Sequence, residues 1–237
     1  ALIDKDAIYT AEGGGSITNV NTTIGTIQPY GGNFGISKDP GSFATYGYRK
    51  YFTDKDRNAV LRLSMDGLTE ISTYGMYDYF RDDFNNIDVQ GNNGVITGAW
   101  DIHNKQYVLS TKPNPAVATE DFSTLSFDEN VKGWTSFFTY NPDQMFSMRN
   151  NFYTVKDNSL YKHYSTTDVN NNLVNRGSFY GVTTPASVSF IFNPSVSLSK
   201  VFNTVNYEGS NGWQVDSFIS DSTGRDASNG AWILSVD

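Results

Sequence analysis

Short runs of Tyr, Phe, Val, Ile and Thr recur along the chain, and Gly, Asn, Asp and Ser cut them into pieces too short for helices. The clearest block is 48–72. Residues 49–53 predict a strand and 54–58 a turn. Residues 59–64 alternate like a strand with one solvated face. Met65-Asp66-Gly67 marks a further turn, and 68–72 a third strand. The same rhythm returns as a strand at 95–101, a turn at 102–104 and a strand at 105–110. It appears again at 144–148, 152–155 and 159–164, with polar turns between. One short helix is expected after the first block. Met76, Tyr77, Phe80 and Phe84 share a helical face, and Ser72 or Thr73 is placed to cap it. Upstream, Gly13-Gly14-Gly15-Ser16 predicts a turn, 17–27 a strand and 29–35 a loop; 113–119 reads as a loop or blade boundary.

These meanders predict an all-β chain of β-propeller-like blades with one short helix; a β-sandwich is the alternative. We divide the chain into an incomplete propeller-like blade region, 1–186, and a closing or separate β unit, 187–237. Strands are expected in the latter at 188–193 and 198–208.

Composition sharpens this picture. Only 38% of residues are hydrophobic, but 15% are aromatic, with 15 Tyr and 16 Phe able to fill a core that few aliphatics supply. The formal net charge of −8 repels phosphate, so nucleic acid is expected to pass such a surface without being gripped. With no cysteine, disulfides, thiolate metal sites and cysteine nucleophiles are excluded, and assembly in a reducing cytoplasm is permitted. No apolar run approaches the roughly 18 residues of a membrane-spanning helix.

Candidate chemistry is sparse. The 54–58 stretch has the first carboxylates of a calcium loop but Ala59 and Met65 where Gly and Glu are needed, so it reads as a hairpin turn. The acid pairs Asp82/Asp83, Glu120/Asp121 and Asp128/Glu129 are sequence neighbours. Neighbours in a strand point to opposite faces, so they make poor glycosidase dyads and read as surface charge. His103 and His163 lack metal-spaced partners and read as surface or edge residues. The sequon at Asn21 reads as a chance triplet, and the glycine run at 13–16 lacks the lysine of a phosphate loop. Trp100, Trp134, Trp213 and Trp232 could stack on sugars, but core and interface packing is the simpler use. No catalytic residue, metal or cofactor is expected.

The wording of the chain goes further than its pattern. The segment PYGGNFGISKDPGSFATYGYRKYFTDKDRNAVLRLSMDGLTEISTYGMYDYFRD (29–82) resembles a block of the large stabilisation or muzzle-type tail proteins of marine and crAss-like phages. TLSFDENVKGWTSFFTYNPDQMFSMRNNFYTVKDNSLYKHY (124–164), NRGSFYG (175–181) and KVFNTVNYEGSNGW (200–213) resemble later blocks of the same family, in order. Members are longer, and the chain opens on Ala1 rather than Met, so a segment of a longer protein is expected.

The resemblance implies a non-enzymatic, nozzle-like tail component of the virion, assembled in the bacterial host cytoplasm. It implies a homo-oligomeric, sixfold ring around a DNA exit channel, with portal or adaptor and tail-fibre proteins as neighbours. Genomic DNA would pass through without specific binding. Of the aromatic and Arg positions in the first block, Tyr48, Arg49, Arg62 and Arg81 are the expected interface residues, and Tyr51 and Tyr77 the expected core. A receptor- or glycan-binding virion module is the competing reading, and a polysaccharide-cleaving enzyme the weakest.

Overall fold

The computed structural model describes residues 30–87, 94–113, 122–192, 194–198, 200, 203–209 and 212–217. The expectations at 13–16, 17–27, Asn21, Glu120/Asp121 and Trp232 lie outside them. The chain divides into two units, 1–187 and 188–237.

The first unit is all-β and antiparallel. β1 (Ala44–Tyr46), β2 (Arg49–Asp54), β3 (Ala59–Ser64) and β4 (Gly67–Glu70) form one meander, each strand paired with the next. β5 (Val95–Asp101), β6 (Gln106–Lys112), β7 (Ser123–Asp128) and β8 (Gly133–Phe138) form a second. β9 (Gln144–Met148), β10 (Asn151–Lys156) and β11 (Ser159–Lys162) form a third sheet, and β12 (Ser178–Phe179) with β13 (Val182–Thr183) a small hairpin. A single α-helix, α1 (Tyr77–Asn85), follows the first sheet among the described residues. None of the sheets closes into a barrel.

One turn design recurs. In 54–58, 101–105 and 128–132 an Asp ends a strand and, four residues on, Asn58, Lys105 or Lys132 takes the left-handed conformation, with φ of 54°, 58° and 54°. Asp101 and Asp128 each accept backbone N–H bonds from the residues two and three ahead. An Asx turn of this kind sets hairpin register locally. Asp54 differs. It is fully buried and accepts bonds from the Gly35 N–H, the Ser37 hydroxyl and Arg57, which pins the 35–37 loop. Its carboxylate serves the fold.

The first strands gather. β1 lies against β5, and β5 against β9. The Ser147 hydroxyl accepts the Ile102 N–H (3.2 Å) and donates to the Trp100 carbonyl, so a β9 side chain satisfies the free edge of β5. Farther out, α1 packs against β3, and its Phe80 meets Trp134 of β8 at 4.7 Å. Helix and sheet faces thus share one core, built on Tyr51, Val60, Phe80, Trp100, Leu109 and Phe127. The opposite face of the second sheet packs through Ala99 and Val108 against Tyr140, Met145 and Phe152, joined by Phe179 and Tyr180.

Several expectations need correcting. Ala59, Val60 and Leu61 are all fully buried, so β3 has no wet face at its start; both of its sides are covered. The α1 N-cap is Met76, without a side-chain cap bond. Ser72 instead accepts the Val60 N–H and donates to Glu70, and Thr73 donates to the Glu70 carbonyl. The buried helix face is Phe80 and Phe84; Tyr77 lies off it, 55% exposed. β1, β7, β8 and the β12–β13 hairpin had no counterpart in the strand expectations. In the second unit, no strand forms among the described residues of 188–193 or 198–208.

Candidate docking surface

In an antiparallel meander alternate loops leave at alternate ends, so the β1–β2 and β3–β4 tips share one end of their sheet. Contacts between sheets bring the β5–β6, β7–β8 and β9–β10 tips to the same end. Glu129, in the β7–β8 loop, accepts the Tyr51 hydroxyl (2.6 Å) and pairs with Arg62 (2.7 Å) near the tips of the first sheet. Ser147 ties β9 to the residue that opens the β5–β6 loop.

That end exposes several large apolar side chains. Tyr48 is 83% exposed, Met65 86%, Val131 68% and Met148 54%. Each sits at or beside a different hairpin tip. Isolated exposed apolar residues are ordinary, whereas a contiguous set of them is the usual composition of a contact surface. Polar and cationic groups, among them Arg49, Lys132 and Arg149, are exposed around them, the usual composition of a protein interface. The opposite end carries Lys55, Asp56 and Arg57 at the β2–β3 turn and Asp157-Asn158 at the β10–β11 turn. Val95, Phe137 and Leu160 are exposed near that end as well.

The tips stand on a base of stacked rings. Tyr46, Trp100, Tyr51 and Tyr107 stack in sequence, with ring centroids 4.4, 5.4 and 4.9 Å apart. Tyr107 anchors the stack by donating to the Ser42 carbonyl (2.7 Å). Burial and the Glu129 carboxylate push the Tyr51 phenol well above its usual range, so it remains a donor. Beside the tips an open groove of about 480 Å³ runs along the first strands, with Tyr46, Trp100, Met145, Phe146 and Arg149 in its lining.

The expected interface residues fall in three places. Tyr48 and Arg49 lie at the β1–β2 tip. Arg62 is engaged within the chain: its side chain is 17% exposed and its guanidinium holds Glu129 and Thr69. Arg81 is on α1, away from the tips, and pairs with Asp78 and Asp82 on the same helix. Sequence reasoning missed Glu129, which it read as surface charge. The side chain is 10% exposed and joins two sheets, because a half-buried Arg and a buried phenol both need an acceptor there.

The remaining polar candidates also serve packing. His163 is buried, against expectation. Its Nε2 meets the Thr154 hydroxyl at 2.8 Å, and its ring packs on Tyr140 and Phe152. Burial lowers its pKa from 6.5 to about 4, so it is neutral at physiological pH. Exposed His103 stacks on Tyr164 at 4.2 Å, and Tyr164 donates to buried Asp101. Asp83 is half-buried, its pKa raised by desolvation, whereas Asp82 is exposed. Trp100 and Trp134 belong to the core, leaving Trp213 as the exposed tryptophan among the described residues. No described helix is long and apolar enough to cross a membrane.

Comparison with known proteins gives two family matches and one curated relative. Residues 35–158 match the family described as Crassvirus muzzle protein, and 174–227 match the Crassvirus muzzle protein C-terminal domain. A muzzle protein of Bacteroides phage crAss001 is 30% identical over 100 residues, covering 42% of this chain and 7% of that protein. The chain therefore aligns with only a small part of that relative's length.

Proposed function

The chain belongs to the crassvirus muzzle protein family, and from that premise we propose that it is a non-enzymatic structural segment of a phage tail. In the virion it packs into a ring around the DNA exit channel, and its hairpin-tip end is a docking surface for a neighbouring tail protein. The observation that carries the docking role is the concentration of Tyr48, Met65, Val131 and Met148 at one end, on a base locked by Glu129 and stacked rings. Rigid support lowers the ordering cost of binding at such tips.

The three sheets, adjoining through β1, β5 and β9, are the arc of a propeller whose axis lies on the first-strand side. The net charge of −8 suits a conduit that lets DNA slide. The structural role is supported also by two of the buried carboxylates: Asp54 and Asp101 accept hydrogen bonds from their own chain on both oxygens, whereas Asp39 Oδ2 has no partner among the described residues.

Cryo-electron microscopy of the source particles tests this reading. We expect density for the chain in the tail, repeated around a central channel, with the hairpin-tip end against another protein. Density only at fibre tips, or hairpin tips facing open solvent in the assembled tail, would refute it.

A further inference from the structure

The third sheet is one strand short of the other two. β1–β4 and β5–β8 are four-stranded, but β9–β11 stops at three, and the outer edge of β11 pairs with no strand among the described residues. Beside that edge Leu160 is 61% exposed. The same sheet face carries Phe146, stacked on Tyr153 at 5.6 Å. An open edge flanked by an apolar face invites pairing unless something covers it.

The chain also holds a strand-forming segment with exposed apolar side chains. Residues 184–199, after the β12–β13 hairpin, contain no Asp, Glu, Lys or Arg. Val188, Phe190 and Ile191 are 70%, 75% and 94% exposed, and no strand forms among the described residues of 187–192. Pro185 and Pro194 bracket the segment, as they would a single edge strand. High β-propensity, alternating bulk and no charge are the signature of a segment that ends up in a sheet.

We propose that the 187–192 segment of one copy adds as the fourth strand to β11 of a neighbouring copy. The inference rests on the ring reading above, and supplies its contact. Strand addition draws affinity from backbone hydrogen bonds and specificity from alternate side chains. Val188 and Phe190, on one face of the added strand, would extend the face that carries Phe146, Tyr153 and Leu160 with Lys162 at the edge, and the donor brings no charge of its own. A strand this short buries only several hundred Å², well below the roughly 1,200–2,000 Å² of a stable dimer. It holds only when repeated, and a head-to-tail exchange in which every copy gives one strand and receives one forms a ring where the rotation between copies closes.

Because the chain has no cysteine, the pairing can be trapped directly. Leu160→Cys and Val188→Cys would be combined in the full chain, treated with a short bis-maleimide and run on a denaturing gel, with native mass spectrometry of the untreated protein alongside. Crosslinked dimers and a higher ladder are expected. An internally crosslinked monomer overturns exchange between copies. An oligomer that yields no crosslink overturns the strand exchange while leaving the ring reading intact, and a chain monomeric at every concentration overturns both. Phe190→Asp, at an exposed site, should weaken self-association at least tenfold with an unchanged circular dichroism spectrum; unchanged association would overturn the proposal.

Discussion

Removing Glu129 should separate two sheets that the Arg62–Glu129–Tyr51 cluster now joins. Its carboxylate accepts the Tyr51 hydroxyl at 2.6 Å and the Arg62 guanidinium at 2.7 Å, with both partners of the ion pair less than one-fifth exposed. A solvated surface pair would contribute about 0–1 kcal/mol. Breaking a fully buried pair costs about 3–5 kcal/mol, because the remaining charge is stranded. The residual exposure of Arg62 places this pair lower in that range. The phenol bond to an ionised acceptor adds about 1.5–3 kcal/mol, not fully additive because the groups share one carboxylate. Glu129→Ala should therefore cost about 3–4 kcal/mol, and Glu129→Gln about 1–2 kcal/mol because it keeps an acceptor for Tyr51. Replacing both partners, Arg62→Met with Glu129→Leu, should recover part of the loss. Urea unfolding of the parent, Arg62→Met, Glu129→Leu and the double variant, followed by circular dichroism at constant m-value, yields the coupling energy. We expect about 1.5–3 kcal/mol; a value within the additivity error of about 0.5 kcal/mol would refute the claim that this cluster bolts the sheets together.

Three other outcomes follow from the structure. His163 binds its proton less readily folded (about 4) than unfolded (6.5), so stability should fall as pH drops from about 6.5 to about 4. The loss is at most about 3 kcal/mol, and Asp39 and Asp83, whose raised pKa values act in the opposite sense, offset part of it. A thermal-melt series in which His163→Gln shows the same slope as the parent would refute the assignment. Gly98→Ala should cost about 3 kcal/mol or more, since a Cβ there would overlap the Ser42 carbonyl and come within 2.6 Å of the Tyr107 hydroxyl, both inside a packed interface. A midpoint shift of under about 2 °C would contradict that packing. Tyr48→Asp, at an exposed tip, should leave stability within about 0.5 kcal/mol of the parent while lowering incorporation into particles, measured by competition with the parent protein; equal incorporation would remove Tyr48 from the docking surface.

Much of the architecture was written in the chain. Aromatic runs cut by Asp- and Asn-rich turns gave the meanders, since a turn such as Asp157-Asn158, with both residues left-handed, is specified by its own two side chains. Core placement of Tyr51 and Trp100 was legible for a similar reason: a chain poor in aliphatics must fill its interior with rings. The family, too, was carried by local wording. What the sequence could not determine depends on residues far apart in the chain. Glu129 looks like any acid in a turn until folding sets it against Tyr51, 78 residues away. His163 looks like an edge residue until Tyr140 and Phe152 close over it. Val188 and Phe190 read as strand, yet a strand exists only where a second edge offers its hydrogen bonds, and no strand among the described residues pairs with them. Local chemistry sets turns, strand propensity and bulk composition, whereas burial and pairing are properties of the partners that tertiary structure brings together.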